Sequence, residues 1–134
     1  MIRSRCYTYF RIAGDLDPDA VTDMLGIEPG KTHRIGDLRA NGTEYDFALW
    51  CGCRCDDYDI VTDVQMRKTI APLLPKKDIL WEIKRRFDVC FYLEVVPTVS
   101  AGDEQTPCLA PSLDVMRFCC DTGTEMSIDL YTEE

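Results

Sequence analysis

Histidine occurs once in these 134 residues, at His33, and tryptophan only twice, at Trp50 and Trp81. No run of about 18 apolar residues exists, so no membrane-spanning helix is expected. The opening Met1-Ile2-Arg3-Ser4-Arg5 lacks an apolar signal region after its positive charges, which points to a cytoplasmic protein. Basic charge is scarce: 15 Lys and Arg stand against 24 Asp and Glu, for a net charge of −9. Phosphate binding needs a dominant basic face, so nucleic acid is not expected as the main partner. No P-loop, dinucleotide-type glycine pattern or Gly-x-Ser-x-Gly is present. No catalytic constellation follows anywhere in the chain, and no cofactor is implied.

What is present suits a folded core. Hydrophobic residues make up 46% and charged residues 29% of the chain, ordinary values for a globular protein. The length suits one domain, residues 1–134, able to bury about two-thirds of its unfolded surface without a metal or disulfide. Eight cysteines without an export signal are expected to be mostly reduced and buried, acting as small apolar residues.

Local structure is clearest near the start. An apolar strand is expected from Arg5 to Ala13. Asp17 is a good N-cap, Pro18 suits the first helical position, and Gly26 suits the position just past the helix end. Residues 27–35 form a connection with a short strand, and Asn41-Gly42 marks a turn. A strand buried on both faces is expected over Tyr45–Cys53. Asp56-Asp57-Tyr58-Asp59 is expected to cap a helix over Ile60–Leu73, stopped by Pro72 and Pro75. A second helix starts at Asp78, its apolar stripe being Ile79, Leu80, Ile83 and Phe87, with Lys84, Arg85 and Arg86 in a solvated last turn. Val89–Val96 reads as a strand and Pro97–Cys108 as a long loop. Pro111 opens a helix with Leu113, Met116 and Cys120 on one face, Gly123 closes it, and Ser127–Thr132 is the last strand. The order is strand-helix-strand-strand-helix-strand, as in ferredoxin-like folds, with an added C-terminal helix and strand. It predicts an α+β fold in which helices pack on an antiparallel or mixed sheet.

Two groups could carry chemistry. His33 lies with Lys31, Arg34, Gly36 and Asp37 in a basic stretch bracketed by glycines. Backbone N–H groups freed by glycine could bind an anion there. A general base needs an orienting partner and a nucleophile, and only the partner, Asp37, is at hand. The structural reading is a solvated turn. Cys51, Cys53 and Cys55 alternate, so in a strand their thiols share one face about 6 to 7 Å apart. A zinc site usually shows paired Cys-x-x-Cys or Cys-x-x-His spacing, which is missing, and core thiols are expected instead. Asp56, Asp57, Asp59 and Asp63 fail the calcium-loop pattern, since Thr62 and Lys68 stand where Gly and Glu are needed. Trp50 and Trp81 read as core aromatics.

Tyr7-x-x-Phe10-x-Ile12, Gly14, Asp17-Pro18, Leu25-Gly26-Ile27, Gly36-Asp37 and Trp50 together resemble the bacterial domain-of-unknown-function family 4279. Leu109-Ala110-Pro111 and the ending Ser127-Ile128-Asp129-Leu130-Tyr131 agree. The resemblance implies a small bacterial α+β protein and carries over no catalytic residue. The expected function is non-enzymatic protein binding, an immunity-type domain that masks a basic toxin being one concrete form. The alternative is a small-molecule or metal-binding domain using His33, Arg34 and Asp37, or Cys51, Cys53 and Cys55. The candidate binding residues are Lys31, His33, Arg34, Gly36, Asp37 and Trp50. A homodimer through a sheet edge is compatible with the same sequence.

Overall fold

The chain alternates apolar and polar residues from its first strand, and that alternation sets the two sides of the molecule. The computed structural model describes residues 3–57 and 60–134. The elements run β1 (Arg5–Asp15), α1 (Pro18–Leu25), β2 (Lys31–His33), β3 (Ala48–Cys51), α2 (Thr62–Ile70), a 3-10 turn (Ala71–Lys76), α3 (Lys77–Arg86), β4 (Asp88–Ser100), α4 (Leu113–Thr122), β5 (Thr124–Ile128) and β6 (Tyr131–Glu133). They build the expected α+β fold on an open mixed sheet of order β2-β3-β1-β4-β5, with β6 also on β4.

The long central pair is β1 and β4, antiparallel from Arg5 opposite Thr98 to Asp15 opposite Asp88. Cys6, Thr8, Phe10 and Ile12 point to one side of β1 and are buried. Phe10, Ile12, Trp50, Phe91, Leu93 and Val95 form the sheet half of the core. Val21, Leu25, Met66, Ile70, Leu80, Ile83, Val115 and Phe118 close it from the helices. Phe10 meets Phe91 and Phe118 with ring centres 5.7 and 6.2 Å apart, tilted geometries that suit the ring quadrupoles. Gln65 on α2 is buried among these groups. Its amide donates to the Cys6 carbonyl at 2.8 Å, and Thr8 Oγ1 donates to Gln65 Oε1 at 3.0 Å. A buried amide satisfied in this way fixes the helix to the strand.

Helix α1 is capped as its sequence dictates. Asp17 accepts from the Asp19 N–H at 3.0 Å, Pro18 opens the first turn, and Gly26 ends it in the left-handed region. Helix α4 repeats the device: Ser112 accepts from the Val115 N–H and Gly123 is left-handed.

Several boundaries differ from expectation. Strand β3 is confined to Ala48–Cys51, because beyond Cys51 pairing to β1 continues only through Gly52 N–H to the Phe10 carbonyl and a Thr8–Cys55 bridge. Tyr58 and Asp59 of the expected acidic cap lie outside the described residues. Helix α2 starts at Thr62 with Val61 in the capping position and no side-chain cap. Asp63 instead accepts from the Ser112 N–H at 2.8 Å. Pro72 and Pro75 do not leave a gap after α2; lacking N–H donors, they tighten the chain into the 3-10 turn that leads into α3.

Pro97 lies inside β4, not in a loop. Its missing N–H points away from β1, into the interval where β5 has ended at Ile128 and β6 begins at Tyr131, so no ladder bond is lost. That interval also splits the expected last strand in two. The buried face of α4 is Val115, Phe118, Cys119 and Thr122, whereas Leu113, Met116 and Cys120 face outward, Leu113 being 72% exposed. Trp81 is 40% exposed and is no core residue; its indole donates to the Asp121 carbonyl at 2.7 Å. Lys84 is not merely solvated, since it donates to the Gly123 carbonyl at 2.9 Å and lies over the Trp81 and Phe91 rings. All eight thiols are free, but only Cys6, Cys51 and Cys119 are buried, while Cys53, Cys90, Cys108 and Cys120 are exposed. Among the described residues no helix is long and apolar enough to cross a membrane.

Candidate functional site on the uncovered sheet face

All the helices contribute to the core on one side of the sheet. The opposite side carries the alternate residues, and the register sets them in rows. Lys31, Cys51, Arg11 and Tyr92 lie opposite one another across β2, β3, β1 and β4. His33, Leu49 and Ala13 make the next row, and Tyr9 faces Glu94 in a third.

On this face a groove of about 740 Å³ runs past Tyr9, Arg11, Lys31, His33, Cys51 and Glu94. Tyr45, Phe47, Arg54 and Asp129 complete its walls. Glu94 is 5% exposed yet ionic, and Arg11 answers it: Nε donates to Oε1 at 2.7 Å. The Arg11 guanidinium also lies 4.1 Å from the centre of the Tyr92 ring. Buried charge held by one salt-bridged, ring-stacked partner is a rigid arrangement. Arg54 lies 4.0 Å over Tyr7, whose ring stacks near Tyr9 with 6.1 Å between centres. Burial, with the Glu94 charge second, raises the Tyr9 phenol. Burial likewise pushes the Cys51 thiol up to about 11, against the opposing pull of Arg11 and Lys31. Cys51 is therefore a neutral thiol at physiological pH and not an activated nucleophile.

His33 is not in a solvated turn. It ends β2, is 7% exposed, and stacks on Tyr45 with ring centres 3.6 Å apart and planes 11° from parallel. Phe47 meets it edge-on at 5.1 Å. Its Nδ1 is buried with no hydrogen-bond partner among the described residues. Burial first, then the nearby Lys31 charge, lowers its pKa below the ordinary 6.5, while Asp37 and the Arg34 backbone oppose. The folded ring therefore binds its proton less readily than the unfolded chain. Its contribution to stability is complete above pH 6.5 and declines as pH falls below that value. As the sole histidine, it is expected to titrate in proton NMR with one midpoint below 6.5. His33→Phe is expected to flatten the difference in urea stability between pH 7.5 and 5.5. A midpoint at or above 6.5 contradicts the burial described.

The other expected site residues divide. Lys31 and His33 line the groove. Arg34 turns to α1, its Nη2 donating to Asp17 at 3.0 Å and Asp19 at 2.8 Å. Asp37 accepts the Arg34 N–H at 2.7 Å, and Gly36, at φ 90°, donates to the Tyr45 carbonyl at 2.8 Å. They shape the loop that brings Tyr45 onto His33. Trp50 points to the helix side, 1% exposed, and donates from Nε1 to Thr22 Oγ1 at 3.0 Å. The three alternating thiols do not share one face, because the ladder stops at Cys51. Cys51 lines the groove, Cys55 lines a separate cavity of about 340 Å³ beside α2, and Cys53 borders both. Among the described residues no three His, Cys, Asp or Glu side chains converge as metal ligands would. Tyr9, Arg11, Tyr45, Phe47, Arg54 and Glu94 were not read from the sequence. The polar alternation of Tyr7, Tyr9 and Arg11 against Cys6, Phe10 and Ile12 was the signal for a second face.

A family model described as "Domain of unknown function (DUF4279)" matches residues 4–133. No curated protein and no solved structure matches the chain.

Proposed function

We propose that this chain, which belongs to the DUF4279 family, is a non-enzymatic binding domain that holds a small molecule on the uncovered face of its sheet. One observation carries the reading: ring walls, a buried ion pair and a histidine with an unpartnered nitrogen border a single groove of about 740 Å³. Small-molecule sites fall at about 300–1,000 Å³ and combine apolar walls with a few fixed polar groups. Bond-breaking needs a poised nucleophile beside a base. The groove's thiol is held neutral and its imidazole is locked between rings, which favours holding over cleaving.

The test is a fragment screen followed by amide NMR. Shifts are expected to cluster at Tyr9, Lys31, Leu49, Cys51, Arg54 and Glu94. Shifts confined to the helix side, or none from a diverse fragment set, overturn the reading.

A second reading is favoured by the net charge of −9 and by exposed Leu113 and Met116 on α4. In it, a basic protein partner in the cytoplasm docks on the acidic surface, in an immunity-type role. Its test is co-purification of a specific basic protein that is lost in Leu113→Glu/Met116→Glu. Loss of that partner in a groove variant instead assigns it to the sheet face.

A further inference from the structure

The groove's charge runs against that of the whole molecule. Arg11, Lys31, Arg54 and Glu94 all act electrostatically on the Cys51 thiol, so three cations and one carboxylate surround a single point on the floor. Glu94 is already matched by Arg11. Lys31 and Arg54 have no carboxylate partner among the described residues, and both are exposed. In a chain with net charge −9, two unmatched cations beside one groove form a local positive pole, while Asp129 stands on the rim. The main chain holds these cations in place. The Gly30 N–H donates to the Cys51 carbonyl at 2.8 Å. A side chain on Gly30 would meet Cys53 Cα and the Gly52 carbonyl at 3.1 Å. The strand that ends in Lys31 thus lies against the segment that leads to Arg54. Beside the cations are flat surfaces: Tyr9, with Tyr7 near it, and the His33, Tyr45 and Phe47 cluster.

Resting on the reading of this face as a binding site, we propose that its ligand is a flat aromatic carboxylate. The carboxylate sits at Cys51 between Lys31 and Arg54, and the ring lies along Tyr9 towards the His33–Tyr45–Phe47 wall. The Arg11–Glu94 pair stays intact, so Arg11 lends charge without being freed. Cationic ligands meet the positive pole and are rejected; neutral rings gain the wall contacts alone. Charge-assisted bonds are roughly twice as strong as neutral ones, so the acid outbinds its neutral analogue.

The experiment compares 1-naphthoate, 1-naphthalenemethanol and 1-naphthylmethylamine by NMR titration of the full chain at low salt. Naphthoate is expected to bind about tenfold or more tightly than the alcohol, with the amine weakest, and to shift Lys31, Cys51 and Arg54 amides. Lys31→Ala/Arg54→Ala, both exposed and so expected to leave the melting temperature unchanged, is expected to bring naphthoate down to the level of the alcohol. Equal binding of acid and alcohol at the groove overturns the anion assignment and leaves the binding face standing. Shifts from none of the three in the groove overturn both.

Discussion

Gly14→Ala is expected to cost about 3 kcal/mol, a large share of a typical domain's stability. Gly14 sits near the end of β1 with φ at 146°, a region that side chains rarely enter. An added Cβ would fall inside contact distance of the Asp88 carbonyl oxygen and 2.9 Å from Val89 Cα. Both are main-chain atoms of the paired strand, where Gly14 faces Val89 and Asp15 faces Asp88. No rotamer relieves such a clash, so the end of the β1–β4 ladder must open. Gly26→Ala supplies the comparison: φ is 67° and nothing lies within 4 Å of its Cβ, so its cost is conformational alone, about 1 kcal/mol. Urea unfolding of both variants measures the difference. A Gly14→Ala protein no less stable than Gly26→Ala would show that the strands do not approach as described.

Trp50→Ala is expected to cost about 3–5 kcal/mol, the range for removing a large buried ring. The side chain fills the space between β3 and α1, and its indole N–H meets Thr22. Trp50→Phe keeps much of the volume but strands the Thr22 hydroxyl, for a loss of about 1–3 kcal/mol. The damage is expected to reach the other face too, since Leu49 and Cys51 flank Trp50 on β3 and point into the groove. Loss of the His33 ring-current shift in Trp50→Phe, read by proton NMR, reports that coupling. An unchanged urea midpoint in Trp50→Ala contradicts the packing.

Where cause and effect are close in sequence, the residues announced the structure. Asp17, Pro18 and Gly26 bound α1 because capping acts within a turn, and the alternation from Cys6 to Ile12 predicted β1. Helix α4 was misread because apolar residues occupy several of its faces. Leu113, Met116 and Cys120 make one stripe, and Val115, Phe118, Cys119 and Thr122 make another. Only the position of β5 decides which is covered. Pro97 looked like a loop residue because its tolerance depends on the β5–β6 break, 30 residues further on. The groove was legible only through Lys31, His33 and Cys51. Arg11 and Glu94 are 83 positions apart, and no local pattern places one beside the other until β1 and β4 pair.

That separation also sets a timetable for synthesis. Strand β1 emerges first, yet its main partner β4 follows some 70 to 90 residues later. At about 5–20 residues per second, the nascent chain carries Phe10 and Ile12 uncovered for several seconds. Closure over so long a stretch is intrinsically slow. The segment that anchors the finished core is thus, during translation, the stretch most in need of shelter by a chaperone.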